Sequence, residues 1–189
     1  MMIHLIRHGK TEANEKRLYC GVTDIPLSPA GITELLELKE LNIFPEHADA
    51  FFTSNLSRTV QTLELLYDSA LYTAICQLAE FNFGNFEMKS YDQLKHRDDY
   101  QAWIMDETGL AHCPNGENKQ QFTERVVRGY HLLARVAKRE NNIVAVTHGG
   151  VITCIMGHLF PGIRNFYEWQ PAPGRGYSLN VATNTWREV

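Results

Sequence analysis

Hydrophobic and polar positions along this chain switch between a short-run pattern and a three-to-four-residue period, and the switches mark out strands, turns and helices. Ile3 to Ile6 is an apolar run broken only by His4, short enough for a buried strand, and it stops at Arg7-His8-Gly9. The polar, turn-rich stretch from Gly9 to Pro26 is too long for an ordinary connection and is expected to be a functional loop. Leu27-Ser28-Pro29-Ala30-Gly31 then opens a helix, with Ser28 as cap and Pro29 at the first helical position. Leu35, Leu38 and Leu41 supply its buried stripe. Asp49 to Thr53, carrying Phe51-Phe52, is a second strand; Ser54 to Thr59 follows, and then a helix with Val60, Leu63 and Leu66 on its apolar face.

Leu71 to Ile75 is a third, short strand, leading to Glu80-Phe81-Asn82-Phe83-Gly84-Asn85-Phe86-Glu87, in which three aromatics sit between two carboxylates. Two short helices, Tyr91 to His96 and Asp99 to Met105, are expected to cover this edge. Pro114-Asn115-Gly116-Glu117 turns into the longest helix, Glu117 to Arg139, with Phe122, Val126, Tyr130, Leu133 and Ala137 on one face. Ile143 to Thr147 is apolar on both faces, like a central parallel strand, and ends in His148-Gly149-Gly150. A helix from Val151 to Leu159, a Pro/Gly-rich stretch from Pro161 to Gly176 and a hairpin of Tyr177 to Val181 with Trp186 to Val189 close the chain. No repeat, linker or low-complexity tract interrupts it, so residues 1–189 are expected to form one domain.

This order of elements predicts an α/β fold with three layers, α/β/α: a mostly parallel central sheet with helices on both faces. With 189 residues, 44% of them hydrophobic, the chain has enough apolar content for one substantial core. A net charge of -4 gives no general attraction to nucleic acid or to an anionic membrane, so the expected partner is a small anionic metabolite held by a local positive field. No apolar run reaches the roughly 18 residues of a membrane helix and no secretory leader is evident, which predicts a cytoplasmic protein; a homodimer is left open. Cys20, Cys76, Cys113 and Cys154 form no C-x-x-C pair and are expected to be free thiols filling the core.

Parallel strands joined by helical crossovers bring their C-terminal ends to one edge, so Arg7, His8, Arg58 and His148 should meet there, with Glu80 reaching in from its loop. Arg58 falls in a first helical turn, where the helix dipole disfavours a cation unless an anion is bound with it. Two guanidinium forks and two imidazoles suit a phosphoryl group, and a histidine whose neutral form is populated serves as a covalent nucleophile. A carboxylic acid completes the set as proton donor to a departing alcohol and as base toward water. Glu80 and Glu87 both lie in the loop that would supply it.

These residues resemble the histidine phosphatase superfamily, with the phosphoglycerate mutase-like fold. Arg7-His8-Gly9-Lys10-Thr11 with Asn14, Ser54 with Ser57-Arg58-Thr59 and Gln61-Thr62, Glu80 with Phe83-Gly84 and Phe86-Glu87, and Thr147-His148-Gly149-Gly150 carry the likeness in order along nearly the whole chain. The resemblance implies that His8 is phosphorylated and Glu80 donates the proton, with Arg7, Arg58 and His148 as the phosphate pocket. Asn14 would help to hold the phosphate, and Gly21 and Thr23 would border the substrate. It also implies no metal and no cofactor. Three positions depart from the family pattern: Lys10 stands for the usual glutamate and adds a cation near the pocket mouth, Phe86 for tryptophan, and Met88 for glycine. Mutases of this superfamily carry extra lid segments, so this short chain is expected to hydrolyse rather than transfer. Its middle region is similar to the α-ribazole phosphatase branch of cobalamin nucleotide-loop assembly. A sugar bisphosphatase, a phosphoglycerate mutase, a broad-specificity phosphatase and an inactive phosphate-binding protein are the alternatives.

Overall fold

The computed structural model describes residues 1–68 and 70–189. Its strands are β1 Met2–Arg7, β2 Ala50–Thr53, β3 Tyr72–Ala74, β4 Asn142–Thr147, β5 Gly176–Asn180 and β6 Thr185–Glu188. The helices are α1 Glu12–Glu15, α2 Pro29–Glu40, α3 Ser57–Tyr67, α4 Tyr91–Leu94, α5 Asp98–Ile104, α6 Lys119–Glu140 and α7 Gly149–Leu159, with single-turn helices at Cys76–Leu78, Gly84–Phe86 and Tyr167–Trp169. The strand order is β3-β2-β4-β1-β5-β6. The first four run parallel, whereas β5 lies antiparallel to β1 and β6 antiparallel to β5.

Because side chains alternate across a strand, each central strand feeds two cores. Ile3 and Leu5 of β1 and Ile143 and Ala145 of β4 pack with Phe122, Val126, Tyr130, Leu133 and Ala137 of α6 and with Val151, Ile152, Ile155 and Met156 of α7. Ile6, Val144 and Val146 point the other way, onto Leu35 of α2 and Leu63 and Leu66 of α3. Helices therefore cover both faces, and each fully buried Leu or Ile contributes roughly 1.5–3 kcal/mol. The short helices α4 and α5 pack inward rather than resting on the edge: Leu94, Tyr100 and Trp103 join Phe81, Phe86 and Phe122 in the larger core.

The local signals act as their chemistry dictates. Ser28 caps α2 by accepting from Gly31 N at 3.0 Å, with Pro29 in the first turn. The long helix begins two residues later than its apolar period suggests, because Asn118 and Gln121 form a reciprocal cap. Leu35 is buried, but Leu41 is the C-cap of α2 and is exposed. Strand β3 lies at the sheet edge with all three residues exposed. Of the cysteines only Cys113 is buried; Cys76 is exposed and Cys20 and Cys154 are half-buried, so the core-filling expectation holds for one of four. Among the described residues no helix is long and apolar enough to cross a membrane.

Candidate active site

The sheet register assembles the site. Arg7, the last residue of β1, pairs with Thr147, the last of β4, so His8 and His148 leave adjacent strands side by side. Their ring centroids are 5.2 Å apart at an interplanar angle of 65°. Strand β2 ends level with them, since Thr53 pairs with Val146, and delivers Ser54 to the same edge. Arg58 follows one residue into α3, and the two rings and this guanidinium are all buried: His8 is 5% exposed, Arg58 1% and His148 0%.

Each side chain is set by a partner that defines its proton. His8 Nδ1 lies 2.6 Å from the Gly9 carbonyl oxygen. A carbonyl only accepts, so Nδ1 carries the hydrogen and Nε2 keeps its lone pair. Gly9 N donates to Thr62 Oγ1 at 2.9 Å and Thr62 donates on to Arg58 O at 2.7 Å, which ties this loop to α3. Arg58 donates Nη1 to Thr23 O at 2.9 Å and Nη2 to Gly21 O at 2.5 Å. Gly21 and Thr23 thus serve first as backbone acceptors that aim the guanidinium. Arg7 donates Nη1 to Pro171 O at 2.7 Å, a contact from the Pro/Gly-rich segment that the sequence pattern did not flag. His148 Nε2 lies 2.8 Å from Ser54 Oγ.

After these contacts, Arg7 Nε, Arg58 Nε and His148 Nδ1 are buried without a protein hydrogen-bond partner, three of the six such side-chain atoms among the described residues. Two N–H donors and an imidazole nitrogen left over at one sheet edge match the oxygens of a tetrahedral oxyanion. Helices α3 and α7 both start here with no side-chain cap, adding the positive ends of two dipoles. Burial, reinforced by the charges of Arg58 and Arg7, holds both His8 and His148 well below the usual histidine pKa, so both rings are neutral near pH 7. Burial also lowers Arg7, and the charge of Glu80 opposes that shift.

The two candidate carboxylates separate cleanly. Glu80 Oε2 accepts from Gly150 N at 3.0 Å, at the start of α7 beside His148, and Oε1 accepts from Phe81 N at 2.9 Å. A side chain on residue 150 would put its Cβ 2.5 Å from Glu80 Oε1, which accounts for glycine there. Glu87 instead accepts from Gly21 N, Val22 N, Thr23 N, Thr23 Oγ1 and Phe83 N at 2.6–3.3 Å, clamping the loop that carries the acceptors for Arg58. Glu80 is at the site and Glu87 is its scaffold.

Asn14 lines the cleft beside Arg7, and its Oδ1 accepts from Thr11 N and Thr11 Oγ1 at 3.0 Å, closing the cap of α1. Lys10 makes an ion pair at 2.6 Å with Glu34 of α2. Phe86 is fully buried against Tyr100 and Trp103, a packing exchange, while Met88 keeps a left-handed φ of 57°, which explains why glycine is the family choice there. Sequence reasoning missed Arg125, whose Nη1 donates to Gln77 O and Ala79 O and whose Nη2 donates to Glu80 O at 3.2 Å while pairing with Glu117 at 2.6 Å. It fixes the backbone from which Glu80 projects; an arginine at a helix position otherwise reads as solvated. Among the described residues no group of three or more His, Cys, Asp or Glu side chains is placed to hold a metal ion.

Gly21 offers a direct probe of the scaffold. A Cβ there would collide with the Phe81 carbonyl oxygen and sit 2.6 Å from Glu87 Oε1. Gly21→Ala is expected to destabilise the fold by about 1–3 kcal/mol, as overpacking does, and to weaken phosphate binding about tenfold by shifting the acceptor of Arg58. Denaturant midpoints and calorimetric titration with inorganic phosphate measure the two effects.

Comparison with known proteins decides the family. Residues 3–189 match the histidine phosphatase superfamily (branch 1). The chain belongs to that superfamily. Membership makes it an enzyme of the phosphatase class. Among its relatives, the adenosylcobalamin/alpha-ribazole phosphatase of Escherichia coli (strain K12) is 35% identical over 165 residues, 84% of this chain and 79% of that protein. The 2,3-bisphosphoglycerate-dependent phosphoglycerate mutase of Cytophaga hutchinsonii is 29% identical over 163 residues, 82% of this chain and 75% of that protein. The solved structure of the alpha-ribazole phosphatase from Shigella flexneri superimposes with a TM-score of 0.81 at 28% identity, covering 98% of this chain and 93% of that one. Histidine phosphatases of both kinds, hydrolase and mutase, thus share this fold.

Proposed function

We propose that this histidine phosphatase hydrolyses small phosphomonoesters through a phosphohistidine on His8, and that α-ribazole 5′-phosphate is its substrate. The carrying observation is the set of unpartnered buried nitrogens on Arg7, Arg58 and His148 around a histidine whose Nδ1 hydrogen is fixed. The guanidiniums and His148 hold the non-bridging oxygens, with His148 in the tautomer that presents Nδ1–H and accepts from Ser54 at Nε2. Nε2 of His8 attacks phosphorus; the N–P bond forms as the ester P–O bond breaks, and protonated Glu80 gives its proton to the leaving oxygen. Ionised Glu80 then takes a proton from water as the water oxygen attacks phosphorus, the N–P bond breaks, and phosphate leaves. The positive charge that faces the phosphoryl oxygens is that of the Arg7 and Arg58 guanidiniums throughout, and no metal enters the route.

The choice of substrate is supported by the names of the relatives at 33–35% identity. The expected site of action is the cytoplasm, on a diffusible metabolite. One protomer holds every group that the route uses, so a homodimer is not required by the chemistry.

A phosphate-release panel tests this. Turnover is expected to be fastest on α-ribazole 5′-phosphate, slower on a sugar bisphosphate and 3-phosphoglycerate, and unchanged by a chelator. Rapid isomerisation of 3-phosphoglycerate with little free phosphate would make the chain a mutase. Strong chelator inhibition reversed by one metal would overturn the phosphohistidine route.

A further inference from the structure

A cleft of about 660 Å³, within the ~300–1,000 Å³ range of sites that enclose whole small molecules, shares Arg7 with the phosphoryl pocket. A three-carbon phosphate such as phosphoglycerate would leave most of it empty. Its lining joins Arg7 and Asn14 to Arg17 and to three tyrosines from three separate segments: Tyr19 from the loop after β1, Tyr91 at the start of α4 and Tyr167 at the start of the last single-turn helix. Arg7 and Arg17 are its charged residues and no carboxylate lines it.

The three rings differ in a way that assigns them roles. Tyr19 is fixed, its hydroxyl 2.5 Å from that of Tyr100 and its ring centroid 5.1 Å from that of Phe83. Tyr91 and Tyr167 are 56% and 78% exposed, and no hydrogen bond engages either hydroxyl among the described residues. The backbone beneath Tyr167 is nonetheless pinned: Asn165 Oδ1 accepts from Tyr167 N and Glu168 N, and Asn165 N donates to Glu168 Oε2 at 2.7 Å. Exposed rings on fixed backbone beside a phosphate pocket are stacking platforms, because every heteroaromatic base presents a π-face. Arg17 adds a guanidinium plane that has no carboxylate partner among the described residues, and a guanidinium also stacks on aromatic rings.

We infer that Tyr91 and Tyr167 form the specificity subsite for the leaving group, taking the planar base of a nucleoside 5′-phosphate while the phosphoryl group sits on Arg7, Arg58 and His148. This deepens the proposed phosphatase function and rests on it. The subsite selects for ring stacking rather than for base edges, so any flat base of similar size binds, and a phosphorylated polyol gains nothing from it.

The experiment compares kcat/KM for a nucleoside 5′-monophosphate and for glycerol 3-phosphate in the native chain and in Tyr91→Ala, Tyr167→Ala, Tyr91→Phe and Tyr167→Phe. Calorimetric titration with the same nucleoside monophosphate is run on each. The nucleotide-to-glycerol-phosphate ratio is expected to fall at least tenfold in each alanine variant, mostly through KM, and to stay within twofold of native in the phenylalanine variants, which keep the ring. Affinity for the nucleotide should fall by a similar factor. A ratio unchanged in both alanine variants, or one lost equally in the phenylalanine variants, overturns the stacking subsite while leaving the phosphatase in place. A native chain that releases phosphate from neither ester nor from α-ribazole 5′-phosphate overturns the phosphatase function instead, and the titrations alone then decide whether the tyrosines bind the base.

Discussion

His8→Ala is expected to leave no acid-labile phosphoenzyme after brief exposure to substrate and to lower kcat by about four orders of magnitude or more, the usual consequence of deleting a covalent nucleophile. The geometry makes the effect this large because no other neutral nitrogen base at the edge has its second nitrogen pinned to a carbonyl. The same burial predicts a pH signature. His8 and His148 are held below the ordinary value near 6.5, mainly by desolvation and then by Arg58. Native kcat/KM should therefore remain level as pH falls through 6.5 and decline only at lower pH, where His8 takes a second proton and loses its lone pair. Stability moves in the same direction. Below about pH 6.5 the unfolded chain binds protons at these histidines that the folded chain refuses, so the folded state is progressively disfavoured as pH drops. Rapid-quench trapping with labelled substrate, a kcat/KM series and denaturant midpoints at pH 7 and pH 5 check these outcomes. An acidic limb in kcat/KM centred at 6.5 that does not move when the phosphate's own second ionisation, at about pH 6, is shifted by changing the leaving group would mean a solvated ring and would contradict the buried one.

The second large effect belongs to Glu80→Gln, which should slow phosphoenzyme formation from alkyl phosphates by about 10²–10⁴-fold, the range of a positioned general acid. Aryl phosphates such as nitrophenyl phosphate leave as stabilised phenolates and need little protonation, so their loss should be under about tenfold. Glu87→Gln supplies the contrast. Glu87 holds four backbone N–H groups and the Thr23 hydroxyl, and an amide in its place turns an acceptor into a donor facing donors. That variant should lose stability and depress alkyl and aryl turnover by the same factor. Equal losses for both ester classes in Glu80→Gln would remove it from the proton-donor role.

The placement of His8 was legible from the amino-acid order, and the reason is topological, whereas between Glu80 and Glu87 only the family resemblance chose. A run that ends in Arg-His-Gly, another that ends in His-Gly-Gly and a strand that feeds Arg58 into a helix need only a parallel sheet to bring them together, and parallel register then fixes their level. The two-faced core was legible for the same reason, since β4 is apolar at its four consecutive buried positions from Ile143 to Val146. What stayed hidden depends on long-range contacts that leave no periodic trace. Pro171 meets Arg7 across 164 positions and Arg125 meets the carbonyl of Glu80 across 45. The four-residue α1 inside the Gly9 to Pro26 stretch is held by one reciprocal cap, too short for any hydrophobic period. Leu41 shows the opposite error: it continues the apolar spacing of α2, yet the helix stops one residue earlier and leaves it in solvent.

Strand β1, flanked by β4 and β5, has one further consequence. Its hydrogen-bonding neighbours are separated from it by about 140 and 174 positions along the chain. During synthesis on the ribosome the segment bearing Arg7 and His8 emerges about 140 residues ahead of β4 and further still ahead of β5, and it finds neither neighbour until those strands have been translated. Nascent fragments shorter than this have no means of gripping phosphate, so the ability to cleave an ester arrives in one late step rather than growing with length.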